Sequence, residues 1–193
     1  MCAALAVSPL ALAACGGGSD LSSDDQDQIT KTVQFAAVSG DPKACTQAQT
    51  QAFTEQTTGG TGAAAVKQCE KDAADTPADS VDVTNIDGDS DSATADANFK
   101  GGVFDGQTIQ VELVKDGDQW KLDKAVKFES FDRDAFVAGL KQELANQSGV
   151  PAGAITCVSK NLDGLSDQQI EDVFLNSDQK LENQIFGPCF QGG

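Results

Sequence analysis

Histidine and tyrosine are both absent from this chain of 193 residues. Histidine is the commonest general base, the commonest protein ligand of metal ions and the usual partner of a nucleophilic serine. Its absence excludes serine–histidine triads and histidine-ligated metal centres. The side chains left for catalysis are carboxylates, lysines and hydroxyls. Carboxylates catalyse when burial or a neighbouring charge moves their pKa toward the working pH.

Positive charge is also scarce, with 13 basic residues against 30 acidic ones and a net charge of −17. Nucleic-acid binding depends on Lys and Arg side chains that neutralise phosphates, and the sequence has no basic cluster. We therefore expect no nucleic-acid partner. An anionic membrane surface would repel the folded part of such a chain, so membrane attachment needs a separate anchor.

The N-terminal part of the sequence is an uncharged apolar run. It covers residues 3–14 and ends in Leu12-Ala13-Ala14-Cys15, before a stretch of glycines. Its length suits the core of a signal peptide and is below the roughly 20 residues of a membrane-spanning helix. A buried N-terminal helix is the alternative, which Pro9 and the glycines disfavour. The Leu-Ala-Ala-Cys ending resembles the lipobox of bacterial lipoproteins.

The lipobox resemblance implies that residues 1–14 are removed and that the sulfur of Cys15 receives a diacylglyceryl group. Two acyl chains suffice for stable anchoring, whereas one chain is marginal. No Lys or Arg precedes the apolar run, where signal peptides carry positive charge, so we expect a truncated start. Residues 15–22 then form the lipidated end and a Gly/Ser tether. The expected location is the bacterial cell surface or the extracytoplasmic face of the membrane.

The six cysteines fall into two groups. Cys2 belongs to the apolar run and Cys15 to the lipobox. The other four are widely spaced and form no CxxC motif, which argues against a redox or zinc site. In an exported chain, an even number of such cysteines indicates disulfides. Of the three possible pairings, we favour the one that keeps each bond within its own half of the chain. That pairing is Cys45–Cys69 with Cys157–Cys189.

The first third of the mature chain has helical periodicity. Ser23 followed by Gln26 fits a capping box, and an apolar stripe continues from there to a glycine. Asp41-Pro42 then predicts the start of a second helix, which runs on to the Gly-rich stretch at residues 58–62. A third helix is predicted over residues 63–73.

From Ser80 onward the apolar period changes from 3.6 to two. Four alternating segments follow, separated by turn signals such as Asp87-Gly88 and Asp116-Gly117,. The pattern predicts a four-stranded antiparallel meander with one apolar face, covered by the preceding helices. The last strand is expected to bury a set of alternating residues. They are Trp120, Leu122, Val126 and Phe128.

The order of these elements resembles a family of small bacterial lipoproteins with a nuclear transport factor 2-like domain. The resemblance covers residues 24–129 and includes Ser39-Gly40-Asp41-Pro42, the cysteine-bearing helix pair, Ile86-Asp87-Gly88-Asp89 and Gln119-Trp120-Lys121-Leu122. It implies a curved sheet wrapped around helices as a cone with a pocket. Related cones host isomerases and also many binding or accessory domains. Enzymes among them use Asp, His or Tyr in the cone, and two of these types are missing here.

Residues 130–193 are predicted to be helical. Asp132 is an expected N-cap with a hydrophobic staple around it, a further helix begins at Pro151, and Ser166 opens a capping box. A helical segment of this length has a marginal core by itself. It either docks on the sheet domain or stands apart, and docking is favoured because no Pro/Gly linker precedes it.

Three aspartates could suggest a calcium loop. Asp87, Asp89 and Asp91 alternate like the first ligands of an EF-hand. That motif also needs Gly at position six and Glu at position twelve, where this chain has Ser92 and Asn98. A polar hairpin turn is therefore favoured, and we expect no metal site.

Small and aromatic side chains on the predicted sheet suggest a pocket or a core. Ala93, Ala95 and Ala97 leave one face of a strand thin, so they either floor a ligand pocket or allow close helix packing, and packing is favoured. Trp120 is expected in the core rather than as a platform for a cofactor.

No pair of carboxylates is singled out by its spacing. Asp132, Asp134 and Glu143 are expected on a solvated helix face, and a glycosidase-type pair would have to face across a cleft. Asp82 and Asp96 are expected on the outer face of the sheet, and only the opposite strand parity would bring them inside. We therefore predict no catalytic residues.

These patterns predict an α+β fold: N-terminal helices packed on a curved, cone-like, four-stranded antiparallel sheet, followed by a small disulfide-linked helical region. The expected boundaries are 1–14, 15–22, 23–129 and 130–193. The expected function is that of a lipid-anchored extracytoplasmic binding or accessory protein without catalytic activity or cofactor. Its partner would be a small apolar ligand or a protein. The alternative is a carboxylate-dependent enzyme of the isomerase or hydrolase type.

Overall fold

A computed structural model describes residues 20–74, 77–147 and 149–190. The N-terminal run with Cys2, and the predicted lipidation site Cys15, lie outside the described residues. The fold is α+β. Its elements in chain order are α1 (Ser23–Val38), α2 (Ala44–Gln47), α3 (Gln51–Thr58), α4 (Gly62–Asp72), β1 (Ser80–Gly88), β2 (Ser92–Lys100), β3 (Thr108–Asp116), β4 (Gln119–Ser130), α5 (Arg133–Asn146), α6 (Ala152–Asp163), α7 (Asp167–Phe174) and α8 (Gln179–Phe190). Within the described ranges, none of the helices combines the length and the apolar composition needed to cross a membrane.

The strands form an antiparallel sheet in the order β1-β2-β3-β4, so each strand pairs with the next one along the chain. Ala95 of β2 pairs with Val111 of β3, and Ala97 pairs with Ile109. All four of these side chains are buried on one face, because side chains of a strand alternate between the two faces of a sheet. The predicted four-stranded meander with one apolar face is confirmed.

Strand β4 departs from strict alternation. Leu113 of β3 pairs with Leu122, but Val111 pairs with Ala125, so β4 has an extra residue between these two pairs. The bulge places Ala125 on the buried face with 4% of its surface exposed, while Val126 is half-buried. The prediction that Val126 occupies the buried position is wrong, because the extra residue shifts the alternation of side chains by one. A second register shift, between Gln110 and Val111 of β3, pairs Phe128 with Ile109 and returns it to the core, as predicted.

Helix α1 packs against β1 and β4, with Ile29 and Val33 buried. Its N-cap is Ser22, whose hydroxyl accepts a hydrogen bond from the backbone N–H of Asp25. The predicted cap, Ser23, is the first residue of the helix instead, because Ser22 has the extended backbone that an N-cap requires.

Asp25 connects the start of α1 to the sheet. Its Oδ1 accepts hydrogen bonds from Nζ of Lys115 at 2.7 Å and from the indole Nε1 of Trp120 at 2.9 Å. These donors, Lys115 above all, together with the Ser22 hydroxyl, hold the pKa of the Asp25 carboxyl well below its usual range. Trp120 is 1% exposed, so it lies in the core, as predicted.

This contact predicts how stability depends on pH. The pKa of Asp25 is lower in the folded protein than its ordinary value of 3.8. The contribution of the Asp25 carboxylate to folding stability is therefore fully present above pH 3.8 and is lost as the pH falls toward the pKa of the folded state. We expect Asp25→Asn to lower the thermal midpoint at pH 7, and the difference from the wild type to shrink between about pH 4 and 2. Thermal melts across this pH range measure it.

Asp27→Asn is the matched control for Asp25→Asn. Asp27 lies on the same helix and is exposed, and it has no ion pair among the described residues. We expect its substitution to change the midpoint little at any of these pH values. A difference for Asp25→Asn that stayed constant from pH 7 to 2 would contradict the ionic origin of the effect.

The helix predicted from Asp41-Pro42 is divided into α2 and α3. Between them, the backbone N–H of Leu122 in β4 donates to the carbonyl of Ala48 at 2.8 Å, and that of Thr50 donates to the carbonyl of Leu122 at 2.8 Å. The Thr50 hydroxyl then caps α3. The single predicted helix is wrong here because this short extended segment pairs with the edge of the sheet and Thr50 restarts the helix.

Two disulfides join helices that are distant in sequence. Cys45–Cys69 connects α2 to α4, and Cys157–Cys189 connects α6 to α8. These are the pairs that the sequence analysis favours. Ser166 forms the predicted capping box at the start of α7.

The C-terminal helices are joined to the sheet through α5 and α7 rather than standing apart. The buried side chain of Gln107, which precedes β3, donates to the carbonyl of Asp132 at 3.0 Å and accepts from its N–H at 2.8 Å. On α7, Oε2 of Glu171 accepts a hydrogen bond from the N–H of Phe128 in β4 at 2.7 Å. Docking, which the sequence analysis favours over a separate unit, is therefore observed.

Candidate functional site

A cavity of about 430 Å³ lies between the buried face of the sheet and the helices. We call it the core cavity. Its sheet wall consists of apolar side chains from three strands. They are Ala97 and Phe99 of β2, Ile109 and Val111 of β3, and Leu122 and Ala125 of β4. The two alanines leave room where larger side chains would fill the space between sheet and helices.

Helices from both ends of the chain complete the walls of the core cavity. The N-terminal side consists of Val33, Ala36 and Ala37 of α1 with Phe53 and Thr57 of α3. The opposite side consists of Leu140 of α5, Phe174 of α7, the adjacent Leu175, and Val103 and Phe104 from the β2–β3 loop. Residues 23–129 and residues 130–193 therefore build this cavity together.

Gln49 brings an amide into this apolar lining. It lies on the segment between α2 and α3 that pairs with Leu122. Its Oε1 accepts a hydrogen bond from Oγ1 of Thr54 at 3.4 Å. Within the described part of the chain, no hydrogen-bond acceptor pairs with its Nε2. The Gln49 amide is therefore available to donate a hydrogen bond to a ligand.

Gln56 holds the wall on the α3 side in place. Its Oε1 accepts from the N–H of Ala125 at 2.9 Å and its Nε2 donates to the carbonyl of the same residue at 2.7 Å. The same Nε2 donates to Oδ1 of Asn176 at 3.0 Å, and the Ser177 hydroxyl donates to the Gln56 carbonyl at 2.6 Å. One side chain thus ties α3 to the edge strand and to the loop between α7 and α8.

A second space adjoins the core cavity. It is a cleft of about 700 Å³ between α3 and α4 on one side and α7 and α8 on the other, which we call the interhelical cleft. Thr57 and Phe174 line both spaces. Thr57 is exposed and Phe174 is half-buried, so the wall that the two spaces share includes an exposed side chain.

The electrostatic character of the two spaces differs. Among the described residues that line the core cavity, none is charged. The lining of the interhelical cleft includes the carboxylates of Asp72 and Glu182, both exposed. The described lining of the core cavity is therefore uncharged, whereas that of the adjoining cleft carries two carboxylates.

The three aspartates of the calcium-loop pattern lie at the β1–β2 hairpin. Oδ1 of Asp89 accepts hydrogen bonds from the N–H groups of Asp91 at 2.9 Å and Ser92 at 3.0 Å, and these bonds lower the pKa of the Asp89 carboxyl. The Asp89 side chain is therefore used within a polar turn, as the sequence favours. Among the described residues, no group of three or more acidic or cysteine side chains is placed to hold a metal ion.

The other carboxylates that the sequence analysis weighed do not line the core cavity. Asp82 is exposed and pairs with Lys100 at 3.1 Å. Asp96 accepts a hydrogen bond from Nδ2 of Asn85 at 2.8 Å. It alternates with the buried Ala95 and Ala97 and so lies on the opposite face of β2, yet only 7% of its surface is exposed. The predicted strand parity agrees with both positions, but of the two only Asp82 is exposed to solvent. Asp132 caps α5, Asp134 lies in the first turn of that helix, and Glu143 is half-buried near the end of the helix.

The three alanines of β2, which could either floor a pocket or allow close helix packing, are divided between a cavity and the core. Ala97 lines the core cavity, whereas Ala93 and Ala95 are buried in the core without lining it. Sequence reasoning missed Gln49 and Ala125. The capping preference of Thr50 could have indicated the break that positions Gln49, but no residue type marks the bulge that turns Ala125 inward.

Cys15, the predicted lipidation site, lies outside the described residues. The four disulfide cysteines do not line the core cavity. Sγ of Cys69 lies 3.5 Å from Oε1 of Gln49, which does line it. Comparison with family models, with curated proteins and with solved structures found no match to this chain.

Proposed function

We propose that this protein is a lipid-anchored extracytoplasmic binding protein and that the core cavity holds a small apolar ligand. The observation that carries the proposal is the cavity itself. Its volume of about 430 Å³ falls within the roughly 300–1,000 Å³ of small-molecule sites. Apolar side chains line it, with a single amide from Gln49 to orient a ligand. Few polar groups in an apolar concavity are typical of such sites.

The lipobox-like sequence, the two disulfides and the net charge support the proposed location. The Leu12-Ala13-Ala14-Cys15 ending of the apolar run supports lipid attachment at Cys15. The two disulfides support an oxidising compartment, because such bonds are rare where thiols are kept reduced. A net charge of −17 gives the folded part no attraction to an anionic bilayer, so the lipid is the anchor.

We also propose that residues 24–129 form a cone of the nuclear transport factor 2-like type. The antiparallel meander with helices on its apolar face and a cavity between them supports this. A binding role is favoured over carboxylate catalysis because the ligand space is lined by aliphatic and aromatic side chains. A ligand there is held by packing rather than by charge.

Binding of an uncharged apolar probe tests the proposal. We expect N-phenyl-1-naphthylamine to bind saturably, with one probe per chain, to the full-length protein carrying Cys15→Ser. Ala97→Phe fills the floor of the core cavity. It should weaken binding about tenfold or more, since losing about 60 Å² of apolar contact costs about 1.4 kcal/mol. Probe fluorescence measures the affinity.

Ala64→Phe is the matched control, because the same substitution falls on an exposed residue of α4 outside the cavity lining. We expect it to leave probe affinity unchanged. Ala36→Leu on α1 is a milder block that guards against loss of folding in Ala97→Phe. Equal probe binding by all these variants would place the probe elsewhere and favour the sheet surface, and hence a protein partner, as the functional site.

A further inference from the structure

The core cavity and the interhelical cleft are adjacent, because two residues line both of them. Thr57 and Phe174 belong to both linings. The Phe174 ring packs edge-on against Phe136, with ring centroids 4.7 Å apart, and against Phe186, at 6.4 Å. A ligand that fills the cavity and passes Thr57 would emerge between α4 and α8.

The charges at that opening have one sign. Of the described residues that line the interhelical cleft, the charged ones are Asp72 on α4 and Glu182 on α8. Oδ2 of Asp72 accepts a hydrogen bond from Nε2 of Gln68 at 2.6 Å, and within the described ranges no cation pairs with either carboxylate. The whole chain adds a net charge of −17, which repels anions further.

From this arrangement we infer that the two spaces form one site for an amphiphile with a cationic head. Its apolar chain occupies the core cavity and its ammonium group lies in the interhelical cleft between the carboxylates of Asp72 and Glu182. An anionic amphiphile such as a fatty acid is disfavoured, because its carboxylate would lie beside two others. This inference rests on the proposed function, since it needs the core cavity to bind an apolar chain.

The expected selectivity is moderate because both carboxylates are exposed. Two exposed ion pairs correspond to a gain in affinity of about 2- to 30-fold over a neutral head. Repulsion lowers the affinity of an anionic head by a similar factor. Added salt should reduce both differences, since exposed charges are screened within about 8–10 Å at physiological ionic strength.

Competition against N-phenyl-1-naphthylamine tests the inference on the full-length chain carrying Cys15→Ser. Dodecylammonium, dodecanol and dodecanoate share one chain length and differ in head charge, and all are used below their micellar concentrations. We expect affinity to fall in that order. The double variant Asp72→Asn with Glu182→Gln should bring the three affinities to within about threefold of one another.

Asp27→Asn with Asp163→Asn is the matched control, because it removes the same net charge at two exposed positions outside both linings. We expect it to keep the wild-type order. Equal affinities of the three competitors in the wild type, still sensitive to Ala97→Phe, would overturn this inference and leave the proposed function standing. An identical loss of selectivity in both double variants would also overturn it, because overall charge rather than the cleft would then be responsible. Failure of every competitor to displace the probe would count against both proposals.

Discussion

Phe136→Ala should lower the free energy of unfolding by about 3–5 kcal/mol, the usual cost of truncating a fully buried phenylalanine. Phe136 is 0% exposed. Its ring lies 4.7 Å from that of Phe174, 5.5 Å from Phe131, 6.2 Å from Phe104 and 6.3 Å from Phe128, centroid to centroid. Truncation leaves a void among these rings that the rigid surroundings fill only in part. Urea denaturation measures the effect.

Phe136→Ala also tests whether the two parts of the chain unfold together. Phe128 belongs to β4 and Phe104 to the β2–β3 loop, whereas Phe136 belongs to α5, so the aromatic cluster links the two parts. The chain has one tryptophan, Trp120, which is a buried residue of β4. Its fluorescence midpoint should shift with the far-ultraviolet circular dichroism midpoint. An unchanged fluorescence midpoint would contradict this coupling.

Phe190→Ala is the control for this truncation. Phe190, at the end of α8, has 46% of its surface exposed. The same change in side chain removes little buried contact there, so we expect an effect within about 0.5 kcal/mol.

Cys15→Ser should move the protein from the membrane fraction to the soluble fraction of a bacterial host. A serine hydroxyl at the end of the Leu12-Ala13-Ala14 run removes the thiol to which we propose that a diacylglyceryl group is attached. The stabilisation from lipid burial, about 0.8 kcal/mol for each CH₂, is then lost as a whole. Cell fractionation and labelling with a palmitate analogue measure the change.

Cys2→Ser is the matched control for the anchor. Cys2 lies in the apolar run, before the proposed cleavage site, so its substitution should change neither the labelling nor the distribution of the protein. Continued palmitate labelling of the Cys15→Ser variant would sink the assignment of the lipid to Cys15.

Local patterns in the sequence were enough for much of the fold. Alternating apolar residues with glycine-containing turns predicted the antiparallel meander, and the caps at Asp132 and Ser166 predicted where α5 and α7 begin. The favoured cysteine pairing agrees with the two disulfides. The predictions of the strands and of the caps succeed because each depends on neighbours within one or two turns, or on alternation along a single strand.

Only the tertiary structure decided how the core cavity is built. A bulge that depends on the pairing of β3 with β4 turns Ala125 inward, and backbone bonds to Leu122 break a helix so that Gln49 reaches the lining. Phe174 and Leu175 come from the end of α7. The absence of a Pro/Gly linker favoured docking of this region, but no local pattern specified which of its residues would line the cavity. Such features arise from hydrogen bonds and packing between segments far apart in sequence. Apart from the capping preference of Thr50, the residues involved therefore carry no signal that a single stretch of chain could reveal.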